Sequence, residues 1–231
     1  MENYLEYPFD NQLILRKKKA IKKELLKKNE LIEKRIAILG GSTTSEIKDI
    51  LELFLLKEGI KPSFYESEFN KYYEDIIFEN PKLREFEPEI IYIHTTNLNI
   101  INYPKLNEPE DTVSQLLAEE LEKFKSIWQK IQETFKCSII QNNFELPDYR
   151  TLGNLDFSDI HGKTNFINCL NSEFANYARN NKNFFINDIN YLSASIGLQQ
   201  WFDKTFWYAY KYAFNYDLIP DFAHNLAKII Q

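Results

Sequence analysis

The sequence has little of what builds metal centres, disulfide frameworks or low-complexity segments. Its 231 residues include only two cysteines, three histidines, six glycines and eight prolines. Cys137 and Cys169 stand in apolar surroundings without a CxxC spacing, which predicts two reduced core thiols and neither a zinc site nor a redox pair. No HExxH, paired-histidine or DxDG pattern occurs, so we expect no metal site and no bound cofactor.

The chain also lacks a net excess of positive charge and long apolar runs. The formal net charge is -6, which argues against a broad nucleic-acid surface because phosphate binding depends mainly on Lys and Arg. No apolar run approaches the roughly 20 residues that a membrane span needs, and the first residues lack the charged-then-apolar order of a signal peptide. We therefore expect a cytoplasmic protein with no nucleic-acid partner and no membrane span.

Apolar residues, by contrast, make up 44% of the chain, which is enough for a full core. From Arg35 onward, short apolar segments alternate with longer helical patterns, as in βαβ units. Strands are predicted at 35–40, 61–67, 89–96, 137–144 and 183–189. Helices are predicted at 43–58, 68–86, 112–135, 163–181 and 217–230. The sequence therefore predicts an α/β domain over residues 35–231, a three-layer flavodoxin-like fold with a five-stranded parallel sheet.

A basic stretch from Leu15 to Arg35 precedes this domain. Apolar residues recur in it at helical spacing while Lys and Arg cover the other faces, which predicts an N-terminal basic amphipathic helix within an extension of residues 1–34. Such a helix can lie on an anionic membrane or dock on an acidic partner such as a carrier protein. We favour a solvated helix that leans on the domain.

Small polar residues follow four of the predicted strands. They are Gly40–Thr44, His94–Asn97, Gln141–Asn143 and Asn187–Asp188. In an open parallel sheet, ligands bind beyond the carboxyl ends of the strands, near the point where the strand order reverses. We therefore expect these four clusters to converge on one rim.

The first cluster, "GGSTT", combines a tight turn with a helix start. Its spacing is neither that of a phosphate-binding P-loop nor the GxGxxG of dinucleotide folds. We expect Ser42 to cap its helix in any case. The cluster also fits a nucleophile, with the Ser42 hydroxyl facing the rim and its own N–H helping to hold an oxyanion.

Two sets of phrases resemble known families. "ILGGSTT", together with the Asn97 loop after the third strand, looks like the SGNH (GDSL-like) hydrolase fold. The phrases "AILGGSTT", "YIHTTNLNI", "IIQNNFE", "INDINYLSA" and "WYAYKYA" together resemble the N-terminal domain of FkbH-like proteins, HAD subfamily IIIC. The resemblance covers nearly the whole chain. It implies a HAD phosphatase-type domain after this one, and we expect that domain to be absent here because no DxDxT-type strand end occurs.

The resemblance also implies a division of labour. The HAD half performs phosphoryl chemistry, while the SGNH-like half transfers an acyl group or holds the acyl acceptor. The family is similar in role to enzymes that load a glyceryl unit onto a carrier or act in surface-polysaccharide assembly. The implied partners are an acyl carrier protein, a sugar or polyketide acceptor and the covalently linked HAD domain.

On that resemblance, Ser42 matches the nucleophile and Asn97 the asparagine of the oxyanion hole. The second oxyanion donor, a glycine after the second strand, has no match in "FYESEFNKYY". Losing one such donor typically lowers the rate by roughly 100- to 1000-fold. The sequence therefore predicts slow chemistry at best.

A serine nucleophile also needs a base with an orienting carboxylate. The literal DxxH match ends at His224, but the surrounding apolar pattern is that of a helix and turns this histidine away from the rim. The alternative register places Asp203 at the acid position and Phe206 where the histidine should be. His94, at the end of the third strand, and His161, in a loop, are the other candidates. A site without a catalytic histidine is the remaining alternative.

Further rim residues are candidates for substrate binding. They are Gly41, Thr43, Thr96, Asn142, Asn143 and Lys211. Asn142 and Asn143 can position a hydroxyacyl group, or equally serve as turn formers and caps. The aromatic segment Trp201–Phe214 has helical spacing that favours core packing over a stacking platform, although Lys211 within it can reach the rim.

Two functions therefore remain open at this stage. The leading hypothesis is acyl transfer or ester hydrolysis at Ser42. Its rival is a non-catalytic module that docks a carrier or acceptor for the HAD domain. A histidine within hydrogen-bond reach of the Ser42 hydroxyl would favour the first.

Overall fold

Five parallel strands lie between two layers of helices in the computed structural model, which describes residues 4–27 and 30–231. The strands are Ile32–Gly40 (β1), Ile60–Glu66 (β2), Ile90–His94 (β3), Ser138–Asn142 (β4) and Phe184–Asn187 (β5). The first helices are Asn11–Leu25 (α1), Ser45–Lys57 (α2), Tyr72–Ile77 (α3), Pro81–Phe86 (α4) and Glu110–Thr134 (α5). The later helices are Lys163–Asn180 (α6), Ile189–Ile196 (α7), Leu198–Trp201 (α8), Lys204–Tyr210 (α9) and Ile219–Ile230 (α10).

The strand order is β2-β1-β3-β4-β5, and every neighbouring pair is parallel. The predicted α/β fold with a five-stranded parallel sheet is confirmed. The order reverses between β1 and β3, where the connections to β2 and to β4 run in opposite directions and leave a crevice at the carboxyl edge. Gly40 and His94 are paired at this edge, so the residues that follow them meet there.

Each face of the sheet has its own hydrophobic core, because successive strand residues point to opposite sides. In β1, Ile36 and Ile38 pack against α1, α2 and α10, while Ala37 and Leu39 pack against α3, α5 and α6. Both faces are buried, which is why residues 36–39 of β1 and 90–93 of β3 are consecutive apolar residues.

The N-terminal helix is shorter than predicted. Asp10 caps α1 by accepting a hydrogen bond from Leu13 N, and the helix ends at Leu25, far short of Arg35. Ile32 already pairs with Ile60 of β2, so the predicted boundary at residue 34 falls inside the first strand. Strand pairing therefore overrides the helical pattern from Ile32 onward. Residues 1–3 and 28–29 of the predicted extension lie outside the described residues.

Helix α1 leans on α2 through apolar and charged contacts. Ile14 and Ile21 are buried against the domain. Lys18 Nζ lies 2.7 Å from Glu46 and 3.0 Å from Asp49. These contacts favour a helix that leans on the domain over one that docks on a membrane or an acidic partner, because part of its positive charge is paired within the chain.

The predicted helix 68–86 is divided into α3 and α4. Glu79 adopts a left-handed conformation (φ 52), and Asn80 then caps α4 by accepting a hydrogen bond from Lys82 N. Pro81 stands in the first turn of α4, where a missing N–H is harmless. A proline start and a cap within the apolar pattern thus break one helix into two.

The described part of the chain contains no helix long and apolar enough to cross a membrane. In the same residues, no three His, Cys, Asp or Glu side chains converge in a way that could hold a metal ion. Cys137 and Cys169 are both free.

Candidate functional site

The turn between β1 and α2 lies at the point where the strand order reverses. Gly40 N donates to Ser67 Oγ at 2.9 Å, and Gly40 O accepts from Asn70 N at 3.0 Å. Gly41 N donates to His94 O at 2.8 Å. The turn is thus tied to the ends of both neighbouring strands, and its position is fixed by backbone bonds.

Asn99 clasps this turn from the loop after β3. Its Nδ2 donates to Gly41 O at 2.9 Å, and its Oδ1 accepts from Thr96 N at 3.0 Å. A Cβ added at Gly41 would lie 2.4 Å from Asn99 Nδ2, so only glycine leaves room for the clasp. Asn99 was not among the predicted site residues, since its only signal in the sequence was its place two residues after Asn97 in a rim loop.

Ser42 is not the cap of its helix, which corrects the sequence prediction. The helix α2 begins at Ser45, and Thr44 occupies the cap position with its hydroxyl bonded to Glu66 Oε1 at 2.7 Å. The Ser42 side chain is 2% exposed, and its Oγ makes no hydrogen bond to any described residue. No imidazole is therefore within hydrogen-bond reach of Ser42 in this conformation.

The end of α9 lies against the turn. Thr43 N donates to Lys211 O at 3.0 Å, and Thr43 Oγ1 donates to Tyr210 O at 2.7 Å. Lys211 thus meets the turn through its carbonyl, while its ammonium lies 5.3 Å from the centre of the Trp207 ring. Lys211 is at the rim, but its charge is turned onto an aromatic ring.

Asp203 has a structural partner of its own. Its carboxylate caps α9 by accepting from Thr205 N at 2.8 Å and Phe206 N at 3.2 Å. This engagement explains Asp203 without a catalytic histidine, since none of the described hydrogen bonds joins it to an imidazole.

The expectation that the aromatic segment Trp201–Phe214 packs into the core is only partly right. Trp201 and Phe214 are buried and stack at a ring-centre distance of 4.7 Å. Helix α9 between them buries none of its residues, and Tyr208 is 74% exposed. The two ends of the segment therefore lie in the core, while α9 between them lies at the surface beside the rim.

His94 is fully buried beneath the rim within a polar cluster. Its Nδ1 lies 2.8 Å from Tyr92 Oη and 3.1 Å from Asn142 Nδ2, while its Nε2 has no hydrogen-bond partner among the described residues. The rings of Phe214 and Phe222 meet the imidazole edge to face. Burial lowers the pKa of His94 to about 3, so this histidine is neutral at physiological pH.

Asn142 is the centre of that cluster. Its Oδ1 accepts from Tyr92 Oη at 2.9 Å and from Asn187 Nδ2 at 2.8 Å, and its Nδ2 also donates to Thr95 O at 3.2 Å. The residue is fully buried. Of its two interpretations, these internal bonds favour the structural one over substrate contact.

Asn143 and Thr96 are likewise held inside the protein. Asn143 Nδ2 donates to Asp188 Oδ1 at 2.7 Å, and its Oδ1 accepts from Asn190 N at 3.1 Å, so it anchors the start of α7. Thr96 is fully buried in the loop that Asn99 closes. Both residues shape the rim from below.

The other two histidines are engaged away from Ser42. His161 Nδ1 bonds Asp159 Oδ1 and its Nε2 bonds Glu108 O, each at 2.9 Å, and the Glu108 carbonyl and then Asp159 raise its pKa. His224 on α10 packs among aromatic rings that include Phe9 and Phe54, and burial lowers its pKa. Neither has a contact with the turn.

Asn97 is held by a carboxylate that the sequence analysis also overlooked. Asn97 N donates to Glu145 Oε2 and Asn97 Nδ2 donates to Glu145 O, both at 3.3 Å. Glu145 is 2% exposed, and burial raises its pKa to about 7. Its signal in the sequence was an acidic residue between Phe144 and Leu146, two positions after Asn143.

A groove of about 370 Å³ opens beside the turn. Its lining residues are Asn70, Tyr72, Tyr73, Glu74, Leu98, Asn99, Ile101 and Lys123. Asn70 and Asn99 both bond to the turn, so the groove shares a wall with the Ser42 segment. Its volume is within the range of small-molecule sites.

The sequence of residues 35–231 matches the FkbH N-terminal domain family. The chain belongs to this family. The match covers every strand from the fourth residue of β1 onward and all of the rim described above. No curated protein sequence matches the chain.

Solved structures match it as well. The N-terminal part of a Bacteroides fragilis protein that contains a phosphatase domain, complexed with Mg, aligns at 19% identity and a TM-score of 0.78 over 94% of this chain and 56% of that one. This FkbH-like chain thus spans just over half the length of that structure. A protein named TesA aligns at 9% identity and a TM-score of 0.54 over 85% of this chain and 97% of its own. At these identities, the likeness establishes the fold.

Proposed function

We propose that this FkbH-like domain performs acyl transfer or ester hydrolysis at Ser42 on a small hydroxyacyl unit of the glyceryl type, in surface-polysaccharide or secondary-metabolite assembly. The observation that carries the proposal is the Ser42 hydroxyl, which is buried and has no hydrogen-bond partner among the described residues, while the hydroxyls of Thr43 and Thr44 are both bonded. A buried polar group left without a partner costs about 1–3 kcal/mol. Such groups in native structures call for an explanation, and a catalytic role is one of those recognised.

In the proposed step, Ser42 Oγ forms an ester bond with the acyl carbon of the donor. The bond from that carbon to the oxygen or sulfur of the donor breaks, and the serine proton leaves with the released alcohol or thiol. Water or an acceptor hydroxyl then takes the acyl group from Ser42. The groove beside Asn99 is where we place the hydroxyacyl unit, and Gly41 and Thr43 hold the turn on either side of the serine.

His94 is the histidine whose position best supports a base. It ends the strand that pairs with the Ser42 segment, whereas His161 and His224 are engaged elsewhere. Asn142 Nδ2 donates to His94 Nδ1 in this structure, so a base role requires the other tautomer, in which that bond is lost and Nδ1 donates to Tyr92 Oη, leaving a lone pair on Nε2. A base with a pKa of about 3 accepts a serine proton poorly, so turnover is expected to be slow.

Access to Ser42 requires a local movement, since its side chain is 2% exposed. The backbone at Tyr210 and Lys211 is bonded to Thr43, the residue next to the serine. Helix α9 has no fully buried side chain, and its displacement would break the partly buried stack of Phe206 on Tyr216, whose ring centres lie 5.8 Å apart. We therefore assign the opening step to this segment, with Lys211 brought toward the bound acyl unit as the segment moves.

The proposal is tested by reaction with a fluorophosphonate probe, which phosphonylates an activated serine with loss of fluoride. Intact-protein mass spectrometry compares the parent chain with Ser42→Ala. Ser193→Ala is the matched control, because Ser193 is equally buried but its hydroxyl is bonded to Asn190 O. One adduct in the parent and the control, lost in Ser42→Ala, supports an activated Ser42.

A second function rests on a separate observation. No imidazole bonds to Ser42 among the described residues, and Asp203 uses its carboxylate to cap α9. These contacts favour a module that docks an acyl carrier or acceptor for a linked HAD phosphatase-type domain, and the Bacteroides fragilis relative does contain a phosphatase domain. The absence of any adduct on well-folded protein would support this alternative.

A further inference from the structure

Glu145 is a buried carboxylate without a cation. It is 2% exposed, and none of the salt bridges in the described chain includes it. Acidic side chains are almost never fully buried unless they are paired, because removing a charge from water is costly. Burial of this unpaired carboxylate therefore costs free energy that its hydrogen bonds have to offset.

The contacts of Glu145 converge on Asn97. The carboxylate accepts the backbone N–H of Asn97, and the backbone carbonyl of Glu145 accepts the Asn97 side-chain amide. Tyr103 Oη adds a third bond by donating to Asn97 O at 3.0 Å. The indole of Trp201 faces the carboxylate and lowers its pKa, although its N–H lacks the geometry of a full hydrogen bond.

Asn97 in turn begins the short helical turn that ends at Asn99. Asn99 clasps Gly41 O, and Gly41 precedes Ser42. The position of Asn97 is thus transmitted over two residues to the clasp and then to the turn. A displacement of the Asn97 backbone moves the clasp, because Asn99 N is bonded to Thr96 O within the same turn.

We propose that Glu145 is a positioning residue of the Ser42 site, which holds the Asn97–Asn99 loop in place most firmly when its carboxylate is ionised. The inference rests on the proposed function of Ser42. A hydrogen bond to a carboxylate is about twice as strong as one to a neutral acceptor. Ionisation of Glu145 therefore tightens the bond to Asn97 N, and protonation loosens it.

Protonation occurs in a range that an experiment can reach, because burial raises the pKa of Glu145 to about 7. Tyr103, which bonds Asn97 O, is a second titratable group at the loop, and its pKa is raised by burial and by the charges of Glu145 and Glu120. Glu120 is itself paired with Lys123. Tyr103 stays protonated between pH 5.5 and 8.5, so Glu145 is the group that changes charge beside Asn97.

The test measures the chemical shift of the backbone amide of Asn97 by nitrogen-15 NMR from pH 5.5 to 8.5. Fluorophosphonate labelling of Ser42 is measured in samples of the same protein at the same pH values. The variants are Glu145→Gln and, as a matched control, Glu120→Gln, which removes another largely buried carboxylate with no bond to Asn97. We expect the Asn97 amide shift to titrate near pH 7 in the parent and in Glu120→Gln, and to stay constant in Glu145→Gln. Labelling should rise about threefold across the same midpoint, relative to Glu145→Gln.

An Asn97 shift that does not titrate, or that titrates equally in Glu145→Gln, would overturn the inference whatever Ser42 does. A titrating Asn97 together with unlabelled Ser42 at every pH would instead refute the proposed function and, with it, the role of Glu145 in that site. If the Asn97 shift titrates but the rate of Ser42 labelling does not change with pH, the proposed coupling between the Asn97–Asn99 loop and the Ser42 turn would be overturned. The failures are therefore distinguishable.

Discussion

The free energy of unfolding of this domain should fall between pH 5 and pH 8, and replacing Glu145 with glutamine should remove a large part of that fall. The pKa of Glu145 is raised by burial from an ordinary 4.5 to about 7 in the folded protein. The folded state therefore binds the proton more tightly than the unfolded chain, so the contribution is fully present below pH 4.5 and is lost as the pH rises through about 7. Glutamine has no proton to lose and keeps an oxygen to accept from Asn97 N.

The magnitude follows from the size of that change in pKa. At about 1.4 kcal/mol for each factor of ten, the full effect is about 3 kcal/mol, of which about 2.5 kcal/mol falls between pH 5 and pH 8. Urea unfolding followed by circular dichroism at both pH values gives the free energy of unfolding for the parent and for Glu145→Gln. Carboxylates with lowered pKa values, such as Asp156 and Asp159, contribute equally to both proteins and cancel.

The test compares the change in the free energy of unfolding between the two pH values and not its value at either pH. The reason is that glutamine also brings an amide N–H that needs a partner, and this cost is the same at both pH values. We expect the free energy of unfolding of the parent to fall between pH 5 and pH 8 by about 2–3 kcal/mol more than that of Glu145→Gln. Parallel changes in the two proteins would refute the reasoning, because they would mean that Glu145 titrates normally in the folded state.

Three further substitutions test the packing around the turn. Gly41→Ala places a Cβ 2.4 Å from Asn99 Nδ2 and should destabilise the fold by about 1–3 kcal/mol in urea unfolding. When Gly41→Ala and Asn99→Ala are combined, the loss of stability should be smaller than the sum of the losses in the two single variants. Thr43→Val removes the bond to Tyr210 O and should raise the rate of Ser42 labelling by about 3- to 10-fold if that bond closes the segment, with an unchanged rate as the contrary result. Asn142→Ala leaves several buried groups unsatisfied and should cost about 2–4 kcal/mol by the same unfolding assay, whereas a loss below about 1 kcal/mol would contradict its central place in the cluster.

Most of the fold could be predicted from hydrophobic patterns, for a physical reason. Both faces of the sheet are buried at its centre, so residues 36–39 of β1 and residues 90–93 of β3 are apolar runs that lead into small polar residues. The errors occurred where a local pattern competed with tertiary contacts. The helical spacing of apolar residues from Leu15 extends to Ile32, but Ile32 pairs with Ile60 and is the first residue of β1.

The site was predictable in its place but not in its contacts. Strand ends in a parallel sheet share one edge, which located Gly41, Ser42, Thr43, Thr96 and Asn97 without any structure. Which side chains face each other across that edge depends on loops far apart in the chain. Asn99 meets Gly41 across 58 positions and Glu145 meets Asn97 across 48, so no short spacing in the sequence could reveal either pair.

The role of Ser42 was mistaken for a similar reason. A serine after two glycines at the start of a helix fits an N-terminal cap, yet the helix begins at Ser45 and the cap position is that of Thr44. The residues between Ser42 and Ser45 form a turn whose shape is set by bonds to His94, Asn99 and the end of α9. Those bonds leave the Ser42 hydroxyl without a hydrogen-bond partner in the part of the chain that the structure describes.

The most direct test of the account is to trap an acyl group on Ser42. The chain is incubated with the N-acetylcysteamine thioester of glyceric acid, quenched in acid, and examined by intact-mass analysis and peptide mapping, with Ser42→Ala and Ser193→Ala in parallel. The account predicts one glyceryl group on the peptide that contains Ser42, present in the parent and in Ser193→Ala and absent from Ser42→Ala. A well-folded parent chain that carries no glyceryl group, or one that carries it equally in Ser42→Ala, would contradict the central claim.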